Sequence, residues 1–281
     1  MTMPEATPDQ GDPLARIADA LERMAPPPPP AIDWLAHPAY VWDGGAARFV
    51  ERFEAPRLDL LRGIDRQKEQ VVGNVMRLAQ GHAAHDMLLW GARGMGKSAL
   101  LRAAMALAQE ERPRAVALVQ VAQEALSGVS ALFARLGRED RRFLVYIDDL
   151  GFEDGDTSTP RLLRSWLEGG IEARPRNVRL AVTSNRRAIV ARHLSEQDDP
   201  INPRDAVDDR LALADRFGLS IGFHACSQDE YLAIIDGYAG DFGLDWDEHD
   251  ALEWSKRRGA RSGRVAWQFV TELAGRAGKA I

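Results

Sequence analysis

Residues 91–98 read Gly91-Ala92-Arg93-Gly94-Met95-Gly96-Lys97-Ser98 and fit the pattern G-x-x-x-x-G-K-[ST]. Glycines at these positions let the backbone curl until successive N–H groups point at one phosphate. The Lys97 ammonium can reach the β- and γ-phosphates of a nucleoside triphosphate, and the Ser98 hydroxyl can ligate Mg²⁺. The whole run, together with Ala99, is therefore predicted to be a phosphate-binding P-loop.

The flanking residues have the order that this motif requires. Residues 87–90 form a short apolar run typical of a buried strand. After the loop, apolar residues recur at helical spacing over 100–108. A helix that starts at the loop directs its positive end toward a bound anion. Strand, glycine loop and helix together indicate a nucleotide site.

The composition is that of a globular protein, since 45% of the 281 residues are hydrophobic and 28% are charged. No apolar run approaches the roughly 20 residues that span a bilayer. The acidic N-terminus lacks the basic start and apolar segment of a signal peptide. A single cysteine, Cys226, excludes an intramolecular disulfide. We expect a cytoplasmic protein without membrane insertion, and the net charge of −6 argues against a nucleic-acid coat.

Apolar, strand-like runs alternate with helical stretches through the middle of the chain. The runs lie at 87–90, 115–121, 143–147, 178–183 and 219–223. Continuous apolar strands between helices indicate an α/β fold with a parallel sheet covered by helices on both faces. After Cys226 only helical patterns remain, over 228–238, 247–257 and 264–275. We therefore expect an α/β nucleotide-binding domain over 55–224 and a small all-α lid domain over 225–281.

Residues 1–54 are predicted to hold a short helix, a linker and a lead-in segment. Asp12 and Pro13 are typical of a helix start, and the five prolines at 26–30 favour a stiff, extended chain. The helix has an apolar face, which either packs on the protein's own core or docks on a partner. Aromatic residues at 34, 40, 42, 49 and 53 are predicted to pack within the lead-in segment.

Polar residues follow two of the predicted strands. Asp148 and Asp149 come directly after the run at 143–147, in the Walker B pattern. Nucleotide sites form at the carboxyl ends of parallel strands, so we expect Asp148 to hold the Mg²⁺ that Ser98 also touches. Asn185 follows the run at 178–183, where its amide can orient the attacking water near the γ-phosphate. Ser-Asn is also common in turns, which is the alternative for this pair.

Two arginines further along the chain resemble functional positions of the AAA+ ATPases. Arg216 begins an Arg-Phe pair before the last predicted strand. The resemblance implies an arginine finger that reaches the neighbouring subunit's site, with Arg210 or a surface salt bridge as the alternatives. Arg264 resembles the sensor 2 arginine of the lid, which touches the γ-phosphate. The basic residues near it, at 256–258 and 261, are either a solvated face or an anion patch for nucleic acid.

Several motifs in combination resemble a bacterial family of AAA+ ATPases, the DUF815 group. They are Leu61-Arg62-Gly63-Ile64-Asp65, the P-loop, Asp148-Asp149-Leu150-Gly151-Phe152-Glu153, Leu167-Glu168-Gly169-Gly170-Ile171-Glu172-Ala173-Arg174-Pro175, Thr183-Ser184-Asn185-Arg186-Arg187 and Asp215-Arg216-Phe217-Gly218. The resemblance covers roughly residues 55–275. It implies an AAA+ fold and ATP binding, with the segment Leu61–Asp65, including Ile64, near the adenine. It does not supply a biological role.

Position 149 departs from the usual AAA+ pattern, in which glutamate follows the Mg²⁺ aspartate and activates water. Asp149 is one methylene shorter than that glutamate. Three explanations stay open: Asp149 acts through an adjusted geometry, Glu153 reaches in from the next loop, or hydrolysis is slow. Arg186 and Arg187 are further candidates for γ-phosphate or subunit contacts.

The sequence thus predicts a Mg²⁺-dependent ATPase that couples ATP binding and hydrolysis to conformational change on a protein client or adaptor that it does not identify. Arg216 would complete the adjacent subunit's site, so activity would need a head-to-tail homo-oligomer. The first alternative, which Asp149 motivates, is an ATP-gated binding switch with marginal hydrolysis. The second is a P-loop kinase for a small molecule, and the sensor-like Arg264 argues against it.

Overall fold

The structure is a computed structural model, and it describes residues 12–24, 32–51, 53–151, 158–168, 174–185 and 215–281. The chain divides into two compact units, Met1–Ile32 and Asp33–Ile281. Within the first unit, helix α1 spans Pro13–Met24. The Asp12 carboxylate accepts a hydrogen bond from the Leu14 N–H at 3.0 Å, as expected of an N-terminal cap. The proline run at 26–30 lies outside the described residues.

The second unit is built on one seven-stranded sheet. Its strands are β1 (Ala39–Trp42), β2 (Ala47–Val50), β3 (Met87–Gly91), β4 (Val116–Val121), β5 (Arg142–Ile147), β6 (Val178–Ser184) and β7 (Leu219–Phe223). Their spatial order is β2-β1-β4-β5-β6-β3-β7. The β1–β2 pair is antiparallel, and all the other pairs are parallel. Strand β3, which leads into the P-loop, therefore lies between β6 and β7.

Helices flank this sheet, which confirms the predicted α/β class. Among the described residues of this unit, the helices are α2 (Asp65–Ala79), α3 (Lys97–Glu111), α4 (Val129–Leu136), α5 (Ser158–Glu168), α6 (Gln228–Phe242), α7 (Glu248–Arg257) and α8 (Gly263–Arg276). Short 3₁₀ helices cover Leu58–Leu60 and Gln123–Gly128. Helices α2 and α3 bury their apolar faces in one cluster with β3 and β5. The strands read as continuous apolar runs because the sheet is covered by helices.

The lead-in segment contributes two strands that the sequence analysis did not predict. Asp43 Oδ1 accepts from the N–H groups of Gly45 and Ala46, which closes a tight turn between β1 and β2. Strand β1 pairs with β4. The buried Arg141 side chain donates to the carbonyl oxygens of Trp34 and His37 at 2.9 and 2.8 Å, and so anchors the chain ahead of β1. The sheet thus begins before the boundary at residue 55 that we expected for the α/β domain.

The C-terminal helices form an all-α group with a core of its own. Helices α6, α7 and α8 contribute to one apolar cluster, which includes Tyr231, Ile235 and Phe269. Ser227 begins α6 with a capping box, in which its hydroxyl accepts from the Glu230 N–H and the Glu230 carboxylate accepts from the Ser227 N–H. Ser262 caps α8 in the same position, accepting from the Val265 N–H. The Ser262 cap fixes the start of α8, which lies against Gly94 of the P-loop.

Candidate functional site

The P-loop between β3 and α3 has a backbone conformation that requires glycine. Gly91, Gly94 and Gly96 have φ angles of 118°, 79° and 86°, in the region that side chains disfavour. At Gly91, a Cβ atom would lie 2.1 Å from the Phe223 carbonyl oxygen on the neighbouring strand β7. The glycine pattern of the motif therefore follows from a curled loop packed against the sheet, as a phosphate cradle requires.

Lys97 is the first residue of α3 and is held at the centre of the site. Its side chain is buried, with 5% of the residue exposed. The ammonium donates to the carbonyl oxygens of Gly91 and Ala92 and to Asn185 Oδ1, each at 2.9 Å. Burial lowers the pKa of this amine below the ordinary lysine value. Burying this cation costs free energy. The N-terminus of α3 lies at the same place, and both groups favour an anionic ligand there.

Asp148 follows strand β5 and receives three hydroxyl groups on one carboxylate oxygen. Oδ1 accepts from Ser98 Oγ at 2.7 Å, from Thr183 Oγ1 at 2.7 Å and from the Tyr146 hydroxyl at 2.5 Å. Burial opposes ionisation, but these three hydrogen bonds stabilise the charge and leave the pKa of Asp148 below its usual value. Burial and the adjacent carboxylate raise the pKa of Tyr146. A protonated phenol therefore donates to an ionised Asp148.

Asp149 is held by its backbone and by its side chain. Its φ angle of 51° is left-handed, which is unusual for a residue with a side chain. The Asp149 N–H donates to Thr183 Oγ1 at 2.8 Å, and Gln123 Nε2 donates to the Asp149 carbonyl oxygen at 2.9 Å. The Asp149 carboxylate accepts from Asn185 Nδ2. Asn185 therefore links the Lys97 ammonium to the Asp149 carboxylate.

The start of helix α8 lies against the P-loop. The Arg264 N–H donates to the Gly94 carbonyl oxygen at 3.0 Å. A Cβ atom on Gly94 would approach Ser262 Oγ to 2.8 Å, so the two segments are packed closely. The Arg264 side chain is exposed and lines the same cavity as Lys97. The lid arginine predicted from the sequence is thus beside the loop.

One cavity of about 950 Å³ connects these groups. Of the predicted site residues, it is lined by Ile64, Arg93, Gly94, Met95, Gly96, Lys97, Ser98, Ala99, Asp148, Asp149, Asn185 and Arg264. Gly91 and Ala92 supply the carbonyl oxygens that hold Lys97. Arg216 lies in a turn before β7 and is not among the lining residues. Four other candidates, Glu153, Arg186, Arg187 and Arg210, lie outside the described residues.

Both apolar and charged side chains line the cavity. The apolar ones include Leu61, Ile64, Tyr238, Phe242 and Trp267, which suits a flat heterocyclic base. Five arginines and Lys97 line the cavity, against three carboxylates. Two of these arginines, Arg57 and Arg62, pair with Asp59 and Asp241. The remaining cationic groups suit a polyanionic ligand.

The donor set fits a hydrated Mg²⁺ shared with phosphate groups. Across the residues that the structure describes, no group of three or more His, Cys, Asp or Glu side chains could hold a metal ion. Mg²⁺ is usually bound by one or two carboxylates together with substrate phosphates and waters. Ser98 and Asp148 supply a hydroxyl and a carboxylate that already touch each other. Phosphate oxygens and waters would supply the remaining Mg²⁺ ligands.

Comparisons with known proteins identify the family of the chain and its fold. A family model described as "Protein of unknown function (DUF815)" matches residues 35–277. The chain belongs to the DUF815 family. A comparison with curated proteins finds no match.

The DUF815 chain has the fold of AAA+ ATPases. It is similar to a RuvB variant of Thermotoga maritima, with 17% identity, coverage of 81% of this chain and 68% of that one, and a TM-score of 0.50. It is also similar to the ORC1 protein of Aeropyrum pernix in complex with DNA, with 17% identity, coverage of 78% and 62%, and a TM-score of 0.53. At such identities the likeness shows the fold alone. No described helix of the DUF815 chain is long and apolar enough to span a bilayer.

Sequence reasoning missed three residues of the DUF815 site. Tyr146 and Thr183 both donate to Asp148, and Gln123 donates to the carbonyl oxygens of Asp148 and Asp149. The contact of Tyr146 could have been predicted, because Tyr146 and Asp148 are two positions apart and such residues on a strand point to the same face. The contact of Gln123 could not, since it reaches the site from the turn after the neighbouring strand β4.

Proposed function

We propose that this protein is a cytoplasmic Mg²⁺-dependent ATPase that uses hydrolysis to move its C-terminal helices against its sheet. One observation carries the proposal: the left-handed Gly94 and Gly96, the buried Lys97 and the Ser98–Asp148 pair share a single cavity. Burying an ammonium group costs free energy, and a bound anion would offset that cost. The AAA+ fold supports the same conclusion.

In this proposal, the P-loop and Lys97 bind the triphosphate. The N–H groups of residues 93–98 would surround the β-phosphate, since the Ala92 N–H already donates to the Phe223 carbonyl oxygen, and the helix α3 N-terminus adds its positive end. Lys97 transfers at least one hydrogen bond from a protein oxygen to a phosphate oxygen. Apolar lining residues, Ile64 among them, would contact the adenine. The base and the phosphates are thereby oriented before reaction.

Ser98 and Asp148 would hold Mg²⁺, which neutralises charge on the phosphates when it is bound. Ser98 Oγ would act as a direct ligand and Asp148 through water. The Asp148 carboxylate is ionised and hydrogen-bonded before any ligand enters. The metal is therefore met by a preorganised oxygen pair.

Asp149 and Asn185 are proposed to act on the attacking water. Asp149 would take its proton and Asn185 would orient it, since both side chains line the cavity and contact each other. Glu153 stays the alternative base. Arg216 of an adjacent subunit would complete the site in a head-to-tail homo-oligomer, offsetting charge in the transition state. The position of Arg216 away from its own cavity agrees with this role.

The Arg264–Gly94 hydrogen bond offers a route from nucleotide to motion. A change of the P-loop on hydrolysis would shift α8, and with it the helices that share its core. The motion would act on a protein client or adaptor. A nucleic acid is the alternative partner, supported only by the exposed basic residues at 256–258 and 261.

The test is nucleotide binding and turnover by the parent chain and by two variants. Lys97→Ala should lose binding of a fluorescent ATP analogue. Asp149→Asn should keep binding and lose phosphate release. Equal analogue affinity in Lys97→Ala and the parent would overturn the proposal.

A second candidate is an ATP-gated binding switch with marginal hydrolysis. The contacts from Lys97 to Asn185 and from Asn185 to Asp149 favour it, because they tie up the shortened acid. Single-turnover measurements separate the two. A switch would keep its bound ATP uncleaved while the protein assembles, whereas an ATPase would release phosphate.

A further inference from the structure

Tyr146 makes an unusual contact for a tyrosine on a buried strand. Its hydroxyl donates to Asp148 Oδ1 at 2.5 Å, and only 2% of the residue is exposed. Both residues lie on one side of β5 and its continuation, because side chains two apart point the same way. The tyrosine ring is packed in the cluster that also holds α3 and β3. The hydroxyl is therefore fixed in place by the core.

The Tyr146 hydroxyl has a charged acceptor, although burial of a tyrosine requires only a neutral one. A buried tyrosine needs an acceptor, and a backbone carbonyl suffices. Tyr231 in α6 shows this, since its hydroxyl donates to the Ala251 carbonyl oxygen at 3.2 Å with none of the residue exposed. Tyr146 instead donates to an ionised carboxylate that lines the nucleotide cavity.

Three hydroxyl groups restrict the same carboxylate from different elements. Tyr146 contacts Oδ1 from β5, Thr183 from β6 and Ser98 from α3. Bonds from three directions to one oxygen oppose rotation of the carboxylate group. Outer groups that orient a metal ligand in this way contribute to metal affinity.

We propose that Tyr146 is a positioning residue for the metal site, whose hydroxyl fixes the Asp148 carboxylate beside Ser98 before Mg²⁺ and nucleotide bind. Thr183 supports the same oxygen from the neighbouring strand. The inference rests on the proposed function, because it assigns Mg²⁺ to Ser98 and Asp148. Tyr146 itself touches neither metal nor nucleotide.

The test measures how nucleotide binding depends on Mg²⁺ in Tyr146→Phe protein. A fluorescent ATP analogue is titrated in EDTA and then at increasing Mg²⁺ concentration. In EDTA, the affinity should equal that of the parent, because the P-loop and Lys97 are unchanged. The Mg²⁺ concentration that gives half of the added affinity should rise about tenfold, the lower end of the effect of removing an outer-shell partner.

Tyr231→Phe is the matched control, since it removes the same atom from an equally buried tyrosine in the lid core. It should leave the Mg²⁺ midpoint unchanged. Thr183→Val is the second variant and should shift the midpoint in the same direction as Tyr146→Phe.

The outcomes separate this inference from the proposed function. A parent protein that binds no analogue, or whose binding ignores Mg²⁺, contradicts the proposed function itself. A normal parent with unchanged midpoints in Tyr146→Phe and Thr183→Val overturns only the role of Tyr146. Loss of analogue binding in EDTA by Tyr146→Phe also overturns it, because the hydroxyl would then serve the fold.

Discussion

The backbone N–H of Arg264 donates to the carbonyl oxygen of Gly94, with 3.0 Å between the two atoms. This hydrogen bond joins the first turn of α8 to the middle of the P-loop. Gly94 is also the P-loop glycine that packs on Ser262, the N-cap residue of α8. The helical group and the phosphate loop therefore share a contact at a position where only glycine fits.

Gly94→Ala should disturb both segments. The new Cβ would meet Ser262 Oγ at 2.8 Å, and the φ angle of 79° is unfavourable for alanine by about 1–2 kcal/mol. We expect lower affinity for an ATP analogue and faster hydrogen exchange at residues 262–266. Gly73→Ala is the control, since Gly73 lies within helix α2 and a Cβ there meets nothing within 4 Å. That change should raise stability by about 0.5–1 kcal/mol and leave binding as it was.

Arg216 should act on a neighbouring subunit, which a mixing experiment can detect. Arg216→Ala alone should keep analogue binding and lose turnover by a factor on the order of 10³. Lys97→Ala alone should lose binding. In a mixture, intact Arg216 of the Lys97→Ala subunits can enter sites that still bind ATP, so part of the activity should return. Two inactive variants whose mixture stays inactive at assembling concentrations would argue for a role within one subunit.

Substitutions of Asp149 test which acid activates the attacking water. Asp149→Asn should lower the single-turnover rate by about 10²–10⁴ if this carboxylate is the base, with binding unchanged. Asp149→Glu restores the residue that AAA+ ATPases usually have and should retain turnover. A variant Asp149→Asn that hydrolyses ATP at the parent rate would transfer the role to another group. Glu153→Gln is then the variant to measure.

The lowered pKa of Lys97 predicts how affinity depends on alkaline pH. Burial lowers the pKa in the ligand-free protein, and a bound triphosphate would raise it again by its negative charge. Binding would then take up a proton, so affinity should fall as the pH rises through the ligand-free value, which lies below the ordinary 10.5. Analogue titrations without metal above about pH 8, where phosphate ionisation is complete, would measure this fall.

Lys97→Arg is the control for that pH dependence. A guanidinium stays charged over the whole range, so whatever affinity remains should not decline. A parallel decline in the parent and in Lys97→Arg would show that another group titrates.

The strands that carry the site were predictable because each is a continuous apolar run next to a recognisable motif. The β1–β2 hairpin was not. Its strands have four residues each, and β1 pairs with β4, some 80 positions later. Local periodicity contains no record of such a pairing. Helix α4 was also not singled out, since its eight residues offer little more than two turns of pattern.

In the candidate site as well, the sequence predicted which residues take part but not the contacts among them. Residues 93–98 of the P-loop, Asp148, Asp149 and Asn185 line one cavity, and motif and strand order predict that these residues lie together. The contacts among them were not predictable, because they depend on side chains from four elements meeting within hydrogen-bond distance. The hydroxyl of Tyr146 and the amide of Gln123 are such cases.

The ammonium of Lys97 already has three oxygen partners supplied by the protein. A triphosphate would have to replace at least one of these hydrogen bonds. A ligand with several negative charges is therefore favoured over a monovalent anion. In the proposed ATPase, these partners would keep the Lys97 ammonium paired between one nucleotide and the next.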